Sequence, residues 1–172
     1  MRRPRLIIPM LLLAACGNEK KADARLALDW TGADTGRLEA PATARWCPAD
    51  TTLEIAGVEA DSGVAVAIFP PDSIAPGVYP VGAPGQVMAR PRAGIALRRF
   101  GENLVLGYYS LSGTVTVDSG APLHGSLQAT LKGVNSGDQV NVSGSFNGLA
   151  VEAGGLTCRP DRPGTAVDTG LF

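Results

Sequence analysis

Hydrophobic and polar residues alternate with a period of two along much of the chain. In residues 123–132, leucines, a glycine and an alanine alternate with polar side chains. Residues 139–146 repeat the pattern, and an Asn-Ser-Gly-Asp turn at 135–138 separates the two runs. One apolar face and one polar face are typical of antiparallel strands whose outer face meets water. The two runs therefore predict a hairpin.

Shorter runs predict further strands, at residues 26–30, 53–57, 64–68, 87–100, 104–108, 115–117 and 149–158. Apolar residues fill every position at 64–68, which predicts a central strand that is buried on both faces. Ser112-Gly113 and Asn147-Gly148 are expected to turn the chain, and residues 74–80 to form an irregular connection. No segment has a convincing helical period.

About nine or ten short strands, at a spacing of about ten residues, predict an all-β domain over residues 26–158. An antiparallel β-sandwich is the expected architecture, and a closed lipocalin-like β-barrel is the alternative. Residues 159–172 are rich in proline, glycine and aspartate. They are expected to form a flexible tail.

The first fifteen residues have the parts of a secretory signal peptide. Arg2, Arg3 and Arg5 give a basic start, an apolar run follows at 6–13, and two alanines precede Cys16. The apolar run is much shorter than the ~20 residues that a membrane-spanning helix needs. Residues 1–15 are therefore predicted to be removed on export.

The segment Leu13-Ala14-Ala15-Cys16 resembles the lipobox of bacterial lipoproteins. The resemblance implies that Cys16 receives a diacylglyceryl thioether and becomes the new N-terminus. Several acyl chains would give stable anchoring, since each buried methylene contributes about 0.8 kcal/mol. Gly17, where an aspartate would indicate inner-membrane retention, implies the outer membrane in a Gram-negative host. Residues 16–25 are mostly polar and small, which favours a flexible tether.

Two cysteines, Cys47 and Cys158, remain once Cys16 carries the lipid. In an oxidising cell envelope two such thiols are expected to pair, closing a loop of about 112 residues. Two separate buried thiols are the alternative. The chain has 15 basic and 16 acidic residues, and loss of the three signal-peptide arginines leaves 12 against 16. A mildly acidic domain gives no reason to expect a nucleic-acid partner.

Arg90, Arg92 and Arg98 have the same parity, so an uninterrupted strand would place them on one face. Together with Arg99 they are a local concentration of positive charge. They could bind phosphate, lipopolysaccharide or a carboxylate-rich partner through bidentate hydrogen bonds. The alternative is a charged edge strand, interrupted by Pro91, that resists aggregation.

The sequence offers few groups for catalysis, and no cofactor is expected. His124 is the only histidine and falls on a polar strand face, and no Gly-x-Ser-x-Gly motif occurs. Four aspartates in Gly/Ser-rich turns could bind calcium, namely Asp34, Asp61, Asp118 and Asp138. Aspartate is also common in turns for local hydrogen bonding. The few aromatic residues are expected to anchor the core rather than to form a ligand platform; they include Trp30, Trp46, Tyr79, Tyr108 and Tyr109.

The segments Gly113-Thr-Val-Thr-Val117, Leu123-His-Gly125-Ser-Leu127 and Val140–Gly148 resemble the "GTV…GSF" hairpins of β-rich bacterial lipoproteins. Those proteins have no assigned catalytic residues, so the resemblance implies no active site. The expected function is a membrane-anchored envelope lipoprotein with a non-enzymatic binding or scaffolding domain. Its partner could be an envelope protein, a glycan or a lipid. A small-ligand or lipid carrier with a hollow barrel is one alternative, and an enzyme of unrecognised type is another.

Overall fold

The computed structural model describes residues 24–154, and this part of the chain is all β. It contains ten strands, a number within the nine or ten that the sequence predicts. The strands are β1 (Arg25–Gly32), β2 (Gly36–Cys47), β3 (Thr52–Glu59), β4 (Ser62–Phe69), β5 (Gly77–Gly82), β6 (Arg92–Phe100), β7 (Val105–Gly120), β8 (Leu123–Gly133), β9 (Gln139–Leu149) and β10 (Val151–Ala153). The search for a helix long and apolar enough to cross a membrane finds none within residues 24–154.

The strands form a single sheet in the order β1-β9-β8-β7-β5-β6-β4-β3-β2-β10. β1 also pairs with β2, so hydrogen bonding returns to the first strand and the sheet wraps around its core. A further pairing joins β7 to β6. The pairings are antiparallel except for β5 with β6 and β10 with β2. The all-β prediction is confirmed, and the sheet is compatible with a sandwich-like fold.

The inward-facing residues of all the longer strands meet in one hydrophobic core. Burial alternates along β8 and along β1 as far as Thr31, as the pattern predicts. In β4, Ala67 on the opposite face is buried together with Val66 and Ile68, which confirms a strand covered on both sides. Burying a leucine, isoleucine or phenylalanine side chain stabilises a fold by about 1.5–3 kcal/mol. The largest fully buried side chains are Trp30, Phe146, Leu26, Leu28, Leu53, Ile55, Ile68, Ile95, Leu97, Leu123, Leu127 and Leu131.

Strand β2 is the element that the hydrophobic pattern does not predict. The next three buried positions after Leu38 are Ala40, Ala42 and Ala44, which alternate with exposed polar residues and a proline. Alanine contrasts little with its polar neighbours and has a low preference for strands. The strand forms because β1 and β3 supply partners for its two halves.

The chain reversal predicted at Ser112-Gly113 is wrong. β7 runs without a break for 16 residues, and a register shift against β8 lies between Ser110 and Ser112. A bulge adds one residue, so the buried side chains change from even numbers, such as Tyr108, to odd numbers, such as Val115. Gly113 has φ +138° at this bulge, a conformation that favours glycine.

Two other connections differ from the prediction. Residues 77–82 form β5 rather than an irregular segment; this strand pairs with β7 along its whole length and with β6 only at Val81 and Ala93. Asn147-Gly148 does not turn the chain sharply, since β9 continues to Leu149. The following strand, β10, instead pairs in parallel with the end of β2.

The antiparallel pairings gather the turns at 33–35, 60–61, 101–104 and 134–138 at one end of the domain, here called the distal end. Main-chain hydrogen bonds join neighbouring turns there, from Ala33 N to Gln139 O (3.1 Å) and from Phe100 N to Asp61 O (2.7 Å). The opposite, proximal end carries Ala24, where the described chain begins.

Candidate functional site

The three arginines predicted as an anion site do not form one patch. Arg92 and Arg98 lie on the outer face of β6, at its two ends, while Arg90 precedes the strand. Six residues of strand separate Arg92 from Arg98 by about 20 Å, at ~3.3 Å per residue. The extended segment predicted at 87–100 forms a strand only from Arg92 onwards, so Arg90 is not part of it.

Arg90 holds two parts of the main chain together. Its guanidinium donates to the carbonyl oxygens of Asp50 (2.7 Å), Thr51 (3.0 Å) and Pro70 (3.0 Å). These bonds tie the turn after β2 to the end of β4. Arg90 therefore has a structural role at the proximal end.

Arg99 faces the opposite side of β6 and closes the distal end. It donates to Asp34 Oδ2 at 2.8 Å and to Asp61 Oδ2 at 3.2 Å, and its Cζ lies 5.1 Å from the Trp30 ring centroid. Trp30 Nε1 donates to the same Asp34 oxygen at 3.2 Å. The arginine thus joins two turns that are distant in sequence. Side chains alternate along a strand, so Arg99 points to the same side as buried Ile95 and Leu97. This spacing was the sequence signal for its inward position.

The charges at the distal end shift two pKa values in opposite directions. The hydroxyl of Ser62, and then the Arg99 guanidinium, lower the pKa of Asp61 below its ordinary value of 3.8. Burial, and then the negative charges of Asp34 and Asp138, raise the pKa of Tyr108. Asp34 and Asp61, two of the turn aspartates considered for calcium, both form ion pairs with Arg99.

The outer face of β1, β7, β8 and β9 carries rows of small polar side chains, here called the polar face. Residues that pair across antiparallel strands point to the same side, with strands about 4.8 Å apart. The register makes three rows, which are Thr116-Ser126-Ser145, Thr114-Gln128-Ser143-Asp29 and Ser112-Thr130-Asn141-Thr31. One carboxylate is the only charge among these eleven side chains.

A shallow groove of about 390 Å³ lies on the polar face. Its volume falls within the ~300–1,000 Å³ of small-molecule sites, although it is wide open to solvent. The polar side chains around it are those of Thr31, Ser112, Gln128, Thr130, Asn141 and Ser143. Their hydroxyl and carboxamide groups can each donate and accept hydrogen bonds.

The bulge of β7 shapes the floor of this groove. Gly113 lines it, and a Cβ there would lie only 2.2 Å from the carbonyl oxygen of Gln128. Thr130 Oγ1 donates to Asn141 Oδ1 at 3.0 Å, which orients that amide. Alternation along β8 and β9 predicted polar faces for both strands. Their alignment with β1 and β7 depends on tertiary pairing.

The remaining residues considered for chemistry have other neighbours. His124 Nδ1 lies 3.4 Å from Asn147 Oδ1. Trp30, Tyr79 and Tyr108 are buried in the core, as expected for aromatic anchors. Within residues 24–154 no group of three or more histidine, cysteine, aspartate or glutamate side chains could hold a metal ion.

Cys47 is buried at the end of β2, whereas Cys16 and Cys158 lie outside the described residues. The main chain at Gly154 passes beside Cys47, because Gly154 N donates to Trp46 O at 2.7 Å. Cys158 is four residue steps beyond Gly154, and at ~3.3 Å per step this reach allows the pairing. The Cys47–Cys158 disulfide stays a prediction, as do the signal peptide, the tether and the C-terminal tail.

Comparison of the chain with protein-family models, with curated proteins and with solved structures finds no match.

Proposed function

We propose that the chain is a membrane-anchored envelope lipoprotein whose β-domain is a non-enzymatic binding module. The Leu13–Cys16 segment supports lipid attachment at Cys16, with the outer membrane as destination in a Gram-negative host. The described domain begins at Ala24, at its proximal end. Because β1 already begins at Arg25, a tether over the residues between Cys16 and Ala24 would hold that end towards the membrane and leave the strand faces accessible.

The groove on the polar face is the observation that carries the binding role. Its uncharged groups, which both donate and accept hydrogen bonds, suit a neutral ligand rich in hydroxyl groups, and we propose a glycan. Because no aromatic ring from the described residues lines the groove, stacking would add little, and each hydrogen bond would contribute about 0.5–1.5 kcal/mol. Weak, multivalent binding from an array of anchored domains is the expected mode.

A carrier that encloses its ligand has less support. The interior of the described sheet is filled by the side chains of the core cluster. The described cavities, of about 390 and 140 Å³, both open to solvent. The two hypotheses predict different ligand-induced shifts. A carrier would show them at methyl groups of the core, and a surface binding module would show them on the polar face.

Mass spectrometry of the membrane fraction tests the anchor. The mature protein should begin at an acylated Cys16, and Cys16→Ser should release the full chain in soluble form. Cleavage at another residue, or membrane retention of the Cys16→Ser variant, would contradict the anchor.

NMR titration of the released Cys16→Ser protein with a panel of neutral oligosaccharides, including chitohexaose and maltohexaose, tests the groove. Amide shifts should cluster on the polar face, and Gln128→Ala or Asn141→Ala should weaken binding about two- to tenfold. Thr43→Ala is the matched control, because Thr43 is an exposed polar residue on the outer face of β2. Shifts confined to other surfaces, or none with the whole panel, would refute the glycan proposal.

A further inference from the structure

Arg92 is a partly buried cation for which residues 24–154 supply no hydrogen-bonding partner. Its Nε is buried and has no partner, and none of its nitrogens lies within 4.0 Å of a carboxylate in the described part of the chain. Its Cζ lies 4.6 Å from the centroid of the Phe69 ring. A cation–π contact stabilises the charge but leaves the buried Nε–H without an acceptor. An acceptor is needed to complete this site.

A second guanidinium strengthens the positive potential here. Arg90 Cζ lies 5.8 Å from the same Phe69 ring, and its hydrogen bonds run to carbonyl and hydroxyl oxygens. No carboxylate among residues 24–154 forms an ion pair with either arginine. Two unneutralised cations therefore flank one ring in a chain that is acidic once residues 1–15 are removed.

A half-open cavity of about 140 Å³ lies beside Arg92, between β5, β6 and the loop that joins them. Phe69, Pro84 and Met88 provide apolar walls, while Ser110 and the main chain of Gly82 contribute polar atoms. The hydroxyl of Ser110 is already bonded, since it donates to Gly82 O and accepts from Ile95 N. Arg92 is thus the group in this cavity with unused donors.

The size of the cavity limits the ligand. An apolar cavity of about 150 Å³ can hold benzene, so this space takes about six non-hydrogen atoms. The cation calls for an anion, and a guanidinium matches a carboxylate bidentately. The apolar walls favour a short hydrocarbon part over a fully hydrated inorganic ion.

We propose that this pocket binds a small organic carboxylate, with the carboxylate on Arg92 and a short apolar chain against Met88 and Pro84. The pocket is separate from the polar face, and it does not depend on the proposed glycan ligand. It replaces the predicted three-arginine surface with a single recognising arginine. Arg90 adds charge while it holds the main chain.

Butyrate is the probe, titrated into the soluble Cys16→Ser full chain with detection by NMR. Saturable shifts should appear at residues around the pocket, and Arg92→Gln should weaken binding at least tenfold. Arg98→Gln is the matched control, because Arg98 lies on the same face of β6 about 20 Å away, and it should leave binding unchanged. Neutral 1-butanol should not bind measurably.

Inorganic phosphate forms a second arm. Phosphate that binds as tightly as butyrate, and loses affinity in Arg92→Gln, would overturn the carboxylate class. No saturable butyrate binding, or equal weakening by Arg98→Gln, would overturn the site. If Arg92→Gln does not fold, Met88→Glu tests the same pocket: its added carboxylate should abolish butyrate binding, and unchanged affinity would refute the proposal.

Discussion

Replacement of Arg99 by glutamine should destabilise the domain by about 2–3 kcal/mol. The variant loses the charged hydrogen bond to Asp34, a class of bond that contributes about 1.5–3 kcal/mol, and the contact with Trp30, which contributes about 0.5–2 kcal/mol. Arg99 and Asp34 side chains are 24% and 28% exposed, so solvent screening favours the lower part of these ranges. The exposed Asp61 bond is left out of the sum.

Thermal and urea unfolding of the Cys16→Ser protein, followed by circular dichroism, measures this effect. A domain of this size loses about 4 °C in Tm per kcal/mol, so Arg99→Gln should lower Tm by about 8–12 °C. Arg37→Gln is the matched control. Arg37 also approaches two carboxylates, on Asp29 and Glu39, but its side chain is 65% exposed. Exposed pairs contribute less than about 1 kcal/mol. An Arg99→Gln effect no larger than that of Arg37→Gln would refute the idea that Arg99 stabilises the distal end.

Three further outcomes are expected. The folded-state pKa of Asp61 is lowered, so its contribution to stability is present above its ordinary pKa of 3.8 and is lost as the pH falls through the lower, folded-state value. NMR titration should show this pKa rising towards 3.8 in Ser62→Ala; no change would contradict the assigned cause. Ser110→Ala removes a buried hydroxyl that bridges β5 and β6, and urea unfolding should show a loss of about 1–3 kcal/mol, whereas near-neutrality would mean that water replaces the bridge. Thiol titration of the unreduced mature protein, unfolded in urea, should find Cys47 and Cys158 unreactive, and reduction should destabilise the fold by up to about 4–5 kcal/mol; two reactive thiols would disprove the disulfide.

The pattern of hydrophobic residues accounts for the strands that pack large side chains. Leu26, Leu28 and Trp30 in β1, and the leucines of β8, alternate strongly enough to predict both the strand and its buried face. The pattern does not predict β2, because its inward positions are mostly alanines, which contrast little with their polar neighbours. The change of parity along β7 indicated an irregularity, but a turn and a bulge both change parity, and pairing with β8 decides between them.

The candidate sites depend on tertiary structure to different degrees. The polar faces of β8 and β9 follow from local alternation, but the groove also needs Thr31 and Ser112 from strands distant in sequence. The arginines show most clearly how little the sequence alone says about which side chains form a site. Parity placed Arg92 and Arg98 on one face, yet Phe69 and the loop after β5 distinguish Arg92 from Arg98.

By itself, the sequence determined the all-β class, the inward faces of the strongly alternating strands and the expectation of a lipid-anchored exported chain. These features follow from local periodicity and from contiguous motifs. Tertiary structure decided the strand order, the bulge and the partner of each charged side chain. Arg99, for example, meets Asp34 across 65 residues of sequence. Such meetings depend on which strands pair and in which register, and short-range patterns do not encode that choice.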